Sequence, residues 1–308
     1  MIQVKGLSRH YGGVPVVDHV SFTIGDGEVV GLLGHNGAGK TTIMRMITGF
    51  LEPTSGTIRI DDLEIGPATR EIQQRIGYLP ENCPVWPEMT VVDFLDFSAT
   101  LHGLPEKDKP KALRETIVRT GLQEKALAPI HTLSRGYRQR VGVAQAILHH
   151  PKIVILDEPT NGLDPTQIRQ MRSLIAELAT EATVIVSTHI LQEVQAVCAR
   201  VLILRAGRLV VDARLDALEA DSRLLVTIDR AADDLLKTIP GVKEVHSTGM
   251  AQGRHGYILN AEYTVAPLVA KQLAEAKVGL FSLQPEKRDL ETVFAEANDV
   301  HTSERGLQ

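Results

Sequence analysis

Apolar and polar residues alternate in short runs at the start of the chain. Ile2-Gln3-Val4-Lys5 and Val20-Ser21-Phe22-Thr23-Ile24 carry the period of half-buried strands. Gly12-Gly13 and Gly25-Asp26-Gly27 supply turns, so an antiparallel β-layer is predicted there. Residues 28–33, 152–156 and 182–188 read instead as buried apolar strands, with 57–60 and 75–79 as further strands. Helical spacing follows at 41–48, stopped by Gly49, and at 91–101, 109–120 and 190–197. It also marks the segment carrying Val141, Val143, Ala144, Ala146, Ile147 and Leu148, and the stripe Ile168, Met171, Leu174, Ile175 and Leu178. The reading is an α/β core with an antiparallel β-layer and a helical subdomain inserted at about 83–150.

From residue 216 the rhythm changes. Segments 224–228, 231–239, 242–246, 257–261, 266–276 and 280–284 read as β-α-β-β-α-β, with a last helix at 290–297. That order predicts a small ferredoxin-like α+β domain, so the chain divides at 1–215 and 216–308. His246 and His255 read there as exposed strand and turn residues.

Composition narrows the setting. With 308 residues, 43% of them hydrophobic, the chain can bury a substantial core, and its net charge of −5 gives no overall case for nucleic acid as main partner. Cys83 and Cys198 lack Cys-x-x-Cys spacing, which argues against a disulfide framework or zinc site and fits a reducing compartment. Met1-Ile2-Gln3-Val4-Lys5 has no apolar signal-peptide core, and no apolar run approaches the roughly 18 residues of a membrane span. The expectation is a cytosolic chain whose membrane role comes through another subunit.

The chemistry concentrates between the strand at 28–33 and the helix at 41–48. Gly34-His35-Asn36-Gly37-Ala38-Gly39-Lys40-Thr41 fits the phosphate-loop pattern G-x-x-x-x-G-K-[ST], with Thr42 next. The glycines let the backbone curl so that N–H groups face phosphate oxygens, and the following helix adds the positive end of its dipole. Lys40 then neutralises the β- and γ-phosphates, and the Thr41 hydroxyl joins a Mg²⁺ shell. A plain glycine turn leaves the Lys-Thr pair unexplained.

The strand at 152–156 ends in Asp157-Glu158. An acid at this position anchors Mg²⁺ in phosphate-loop proteins, which assigns Asp157, and Glu158 is placed to orient or deprotonate an attacking water. Ser134 and Asp164 are good helix N-caps. Tyr11 either stacks on adenine or simply ends a strand, and His189 either touches a γ-phosphate or caps the next helix.

Taken in order, the loop at 34–41, Leu133-Ser134-x-Gly136, the Asp157-Glu158 pair and His189 resemble the ATP-binding subunit of an ATP-binding cassette (ABC) transporter over about residues 1–215. The resemblance implies a head-to-tail homodimer in which the signature Leu133, Ser134, Gly136 and Gln139 of one subunit covers the ATP of the other. Ser134 and the Gly136 N–H would supply donors that a lone phosphate loop lacks. It also implies ATP contacts from the whole run Gly34 to Thr42, adenine stacking by Tyr11, a cross-dimer contact by Asp164 and γ-phosphate sensing by His189. Thr41 and Asp157 hold Mg²⁺, Glu158 activates water, and Glu81 sits in the coupling loop with a metal or water contact open to it. Implied partners are integral-membrane permease subunits, with room for a substrate-handling subunit, on the cytoplasmic face of the inner or plasma membrane.

Three positions depart from the family pattern. Arg135 and Tyr137 stand where the common signature has glycine and glutamine, and Glu81 stands where the coupling loop usually has glutamine. An ionised Glu81 only accepts hydrogen bonds and adds negative charge near Mg²⁺. These forms resemble an export-type subgroup serving multidrug efflux, gliding motility and copper-enzyme maturation, whose C-terminal extension carries a dimer or regulatory role. By the same resemblance the loop 83–89 borders the groove for a permease coupling helix. Trp86 or Met89 either anchors that contact or packs within the helical subdomain.

Two other classes stand as alternatives. One is a soluble cassette ATPase acting on a non-membrane partner such as ribosomes or DNA, for which the single cassette without a coiled-coil insert is a poor match. The other is a nucleotide-gated scaffold, against which the Asp157-Glu158 pair speaks. Switching GTPases share the loop, but their Asn-Lys-x-Asp guanine reader is missing.

Overall fold

The N-terminal alternation folds back on itself. In a computed structural model, which describes residues 1–220, 223–251, 253–286 and 290–299, β1 (Ile2–Tyr11) pairs antiparallel with β2 (Val14–Ile24) across Gly12-Gly13. Both strands run longer than their alternation suggested, because register shifts in β1 interrupt the period of two. Next come β3 (Val29–Leu33), α1 (Lys40–Ile47), β4 (Ser55–Ile60), β5 (Leu63–Glu64), α2 (Thr69–Gln73) and β6 (Ile76–Leu79). The helical subdomain supplies α3 (Val91–Leu101), α4 (Lys109–Arg119) and α5 (Arg135–Ile147). After it follow β7 (Ile153–Asp157), α6 (Pro165–Leu178), β8 (Thr183–Thr188), α7 (Leu191–Val197), β9 (Arg200–Arg205) and β10 (Arg208–Arg214).

These elements build two sheets. The antiparallel layer has the order β2-β1-β4-β5, and the core sheet has the order β10-β9-β3-β8-β7-β6. From β9 to β6 every pairing is parallel. Registers Leu33↔Thr188, Asp157↔Ser187 and Leu79↔Leu156 bring the carboxyl ends of β3, β8, β7 and β6 together. That end of a parallel sheet is where ligands bind.

Helix α5 belongs to two cores at once. Val143 and Ile147, four apart, join Leu156, Met171, Leu174 and Ile175 on one side of the core sheet. Val141, Ala144 and Leu148 turn to Phe94, Leu95 and Ala112 of α3 and α4. The helical subdomain is thereby keyed to the sheet through one helix.

The contact boundary between the two units falls between Ala213 and Arg214, two residues before the sequence division. The second unit begins with α8 (Leu215–Ala220), then β11 (Arg223–Ile228), α9 (Asp233–Lys237), β12 (Glu244–Ala251), β13 (Arg254–Asn260), α10 (Ala266–Glu275), β14 (Leu280–Glu286) and α11 (Leu290–Asp299). Its sheet runs β12-β13-β11-β14, all antiparallel, with Leu224, Val226, Tyr257, Leu236, Val269 and Leu273 in its core. Strands and helices thus follow the β-α-β-β-α-β pattern, although α9 is shorter than the sequence suggested.

Strand β6 meets α5 backbone to backbone. A Cβ on Gly77 would stand 1.9 Å from the carbonyl oxygen of Ala146, a clash no rotamer relieves. Gly77→Ala is therefore expected to cost more than about 2 kcal/mol in a urea melt, whereas Gly25→Ala, with room for a methyl group, stays within about 1 kcal/mol. Equal midpoints for the two variants would refute this contact.

Candidate nucleotide-binding site

The loop between β3 and α1 is forced into shape by its neighbours. Gly39, the N-cap residue of α1, has φ 104° and no side-chain cap. A Cβ there would approach Val16 O to 2.9 Å, and one on Gly34 would approach Leu204 O to 2.6 Å. Only glycine fits either place. The first N–H groups of α1 have no side-chain acceptor, the arrangement that binds anions at helix starts.

Lys40 folds into this loop, where its Nζ donates to Gly34 O at 2.7 Å and His35 O at 3.4 Å. It also lies 3.7 Å from Glu158 Oε1, with both side chains only 7% exposed. Asp157 at the end of β7 is fully buried. Thr41 Oγ1 donates to its Oδ2 at 2.8 Å, and the Ser187 hydroxyl, from the facing register position on β8, donates to its Oδ1. Glu158 follows in a left-handed conformation, φ 50°. Its N–H donates to Ser187 O at 3.1 Å.

The Glu158 carboxylate accepts from His189 Nδ1, at 3.1 Å to Oε1 and 3.0 Å to Oε2. A carboxylate only accepts, so Nδ1 carries the proton. The capping alternative for His189 is set aside, because α7 starts at the N-cap Ile190 with no side-chain cap and the His189 ring bonds Glu158 instead.

A cavity of about 240 Å³ collects these groups. Asn36, Gly37, Ala38, Gly39, Lys40, Thr41, Thr42, Glu81, Glu158 and His189 line it, together with Val16 and Asn161. Val16, Asn161 and the Asp157-bound Ser187 went unassigned from sequence. Ser187 did leave a signal, a hydroxyl breaking the apolar run of β8 just where β7 ends in acids. Val16 left none.

Several expected residues lie off this cavity. Gly34 and His35 serve it through carbonyls on Lys40. Tyr11 is 48% exposed beneath the Arg9 guanidinium, 4.7 Å from its ring centroid, and does not line the cavity. In the signature, Ser134 N-caps α5 and is exposed. Leu133, Gly136 and Gln139 are buried within their own subunit. Tyr137 packs within the helical subdomain, 5.8 Å from Lys125 and 5.6 Å from Arg140. Asp164 caps α6 through Oδ1, which accepts from Thr166 and Gln167 N–H, each at 2.9 Å.

Among the described residues no three His, Cys, Asp or Glu side chains converge to form a protein cation cage. One hydroxyl and one buried carboxylate, Thr41 and Asp157, fit Mg²⁺, which keeps most of its shell as water and phosphate oxygen.

Parallel sheet, glycine loop, Lys40 and the Thr41–Asp157 pair define a phosphate-loop nucleotide-binding protein. The sequence model of the ABC transporter family matches residues 17–161. YdbJ of Bacillus subtilis, an uncharacterized ABC transporter ATP-binding protein, is 32% identical over 99% of this chain and 97% of its own length. The linearmycin resistance ATP-binding protein LnrL of the same organism is 31% identical over 96% and 97%. A solved structure of an ATP-binding subunit of an ABC transporter superposes with TM-score 0.66 at 31% identity, over 71% of this chain and 92% of that one. The chain belongs to the ATP-binding subunits of ABC transporters.

Glu81 reaches the cavity from a loop fastened to α5. Two residues on, Cys83 Sγ donates to Arg138 O at 3.2 Å, and a Cβ on Gly142 would come within 2.3 Å of that sulfur. Burial pushes the Cys83 thiol up to about 11. Alkylation of Cys83 at pH 8 is expected to run about a hundredfold slower in the folded protein than in urea, rising about tenfold per pH unit toward that value. Peptide mapping that finds equal rates would contradict the packing.

Proposed function

We propose that this subunit hydrolyses ATP as half of a homodimer and powers an export-type transporter from the cytoplasmic face of a membrane. The observation that carries hydrolysis is the buried Lys40–Glu158 pair, with the exposed His189 on the Glu158 carboxylate, beside Thr41 and Asp157. Lys40 and the loop amides bind the phosphates, while Thr41 and Asp157 hold Mg²⁺. When bound, that ion neutralises charge across the β- and γ-phosphates. Glu158, fixed by the His189 N–H, takes the proton of the attacking water. The exposed Ser134 at the start of α5 lies outside its own cavity, which supports its use on a second copy's nucleotide.

Export is supported by the name of the linearmycin resistance relative, since resistance is served by removing the compound. Among the described residues no helix is long and apolar enough to cross a membrane, so the membrane path falls to permease subunits. A groove of about 800 Å³ in the first unit suits their docking. Phe50, Tyr78, Pro84 and Leu101 line it, none of its lining residues is acidic, and it shares none with the phosphate cavity. Trp86 instead packs on Phe97, ring centroids 4.5 Å apart, and neither it nor Met89 lines the groove. The second unit is assigned a regulatory or dimer-stabilising role.

Glu158→Gln is expected to bind ATP, accumulate as a dimer in gel filtration and lose about 10²- to 10⁴-fold in turnover. Near-normal turnover would refute the assigned base. Leu101→Asp, at a side chain 72% exposed in the groove, should release the co-expressed permease in a pull-down while nucleotide binding holds. Unchanged recovery would move the docking site elsewhere.

A further inference from the structure

Arg135 is the signature residue left without a role by the dimer reading. Its guanidinium covers Gly162, since a Cβ there would stand 2.5 Å from Cζ, 2.6 Å from Nη1 and 2.7 Å from Nε. Three nearly equal distances mean that the flat face of the group lies on the glycine. The same contact recurs in reverse across the junction. A Cβ on Gly136 would meet Gln167 Oε1, Cδ and Nε2 at 2.4, 2.5 and 2.6 Å. Each helix start thus lays a planar group on a glycine belonging to the other.

The covered turn leads straight to the phosphate cavity. Asn161, which lines that cavity, precedes Gly162, and its N–H donates to Glu158 O at 3.2 Å. On the far side, Gln167 is tied to Asp164, whose N–H donates to Gln167 Oε1 at 3.4 Å and whose Oδ1 accepts from Gln167 N–H at 2.9 Å. One contact therefore separates the wall of a subunit's own cavity from the helix start it presents outward.

We propose that Arg135 and Gln167 form a reciprocal lock between the start of α5 and the Asn161–Asp164 turn. Through it, the filling of a subunit's own cavity sets the position of the signature offered to its twin. Arg135 is a positioning residue for hydrolysis. The lock rests on the dimer reading above and adds to it the means by which the two nucleotide sites sense each other. A guanidinium is needed because lysine has no planar face to lay on a glycine.

Steady-state kinetics and nucleotide binding test the lock. Arg135→Ala is expected to lower kcat about tenfold, within the range found for contacting pairs, while the Kd of the isolated subunit for a fluorescent ATP analogue is unchanged. Arg135→Lys should behave like Arg135→Ala; wild-type kcat in the lysine variant would overturn the proposal, because charge alone would then suffice. Gly162→Ala both strains the turn, whose φ at that glycine is 73°, and pushes the guanidinium off, so adding Arg135→Ala to it should bring no further loss of kcat. Multiplicative losses in the double variant would show that Arg135 acts elsewhere, and would also overturn the lock. Gel filtration of Glu158→Gln with ATP separates the two levels. A dimer there together with normal kcat in Arg135→Ala sinks the lock alone, whereas a strict monomer sinks the dimer reading and the lock with it.

Discussion

A fully buried carboxylate held by two hydroxyls is the constraint on which the site depends. Asp157 is removed from water, and Thr41 and Ser187 each give it one hydrogen bond. A buried charge is tolerated only where hydrogen bonds or a cation compensate it. Meeting that demand fixes three elements together: α1 supplies Thr41, β7 supplies the acid, and β8 must pair in the register that sets Ser187 opposite it. A slip of one residue would turn Ser187 to the other face of the sheet and leave Asp157 short of a donor.

The next residue follows from the same geometry. Successive side chains on a strand point to opposite faces, so Asp157 and Glu158 in regular β conformation would diverge. The left-handed backbone of Glu158 breaks that alternation and turns its carboxylate toward Lys40 and His189. Such a conformation costs a non-glycine residue on the order of 1–3 kcal/mol. Charge-assisted hydrogen bonds of the kind that His189 makes are each worth roughly 1.5–3 kcal/mol, enough to offset it. Strain at this position therefore accompanies the turning of Glu158 into the phosphate cavity, beside a neighbour that stays buried.

Much of this was legible in the sequence, because the loop glycines, Lys40, Thr41 and the two acids are dictated by backbone approach and charge at fixed spacing. The buried strands β3, β7 and β8 were legible as apolar runs. Orientation was not. Gln139 turns inward because α5 packs simultaneously on the sheet and on α3, and Leu133, just before that helix, packs with Phe94 and Leu95 of α3; these are tertiary facts with no local signature. Helix α2 and strand β5 went unread because five and two residues hold too little pattern. Strand β10 went unread although its exposed and half-buried positions alternate with the period of an edge strand. Trp86 was ambiguous for a different reason: an aromatic in a proline-rich loop suits an interface and an internal stack equally well, and Trp86 stacks on Phe97 while staying half exposed.

The doubly packed helix α5 turns these local facts into a mechanical argument. Its last turn touches β6 through Gly77, and Cys83 beyond β6 is seated on its Gly142, so the loop bearing Glu81 is fastened to it. Its first turn is fastened to the Asn161–Asp164 turn through Arg135 and Gln167. Both attachments lead to the phosphate cavity, one through Glu81 and the other through Asn161. A rigid helix attached at two points to one cavity cannot follow either alone. At these contacts backbone and sulfur stand hard against Gly77 and Gly142, whereas the tips of Arg135 and Gln167 lie on Gly162 and Gly136.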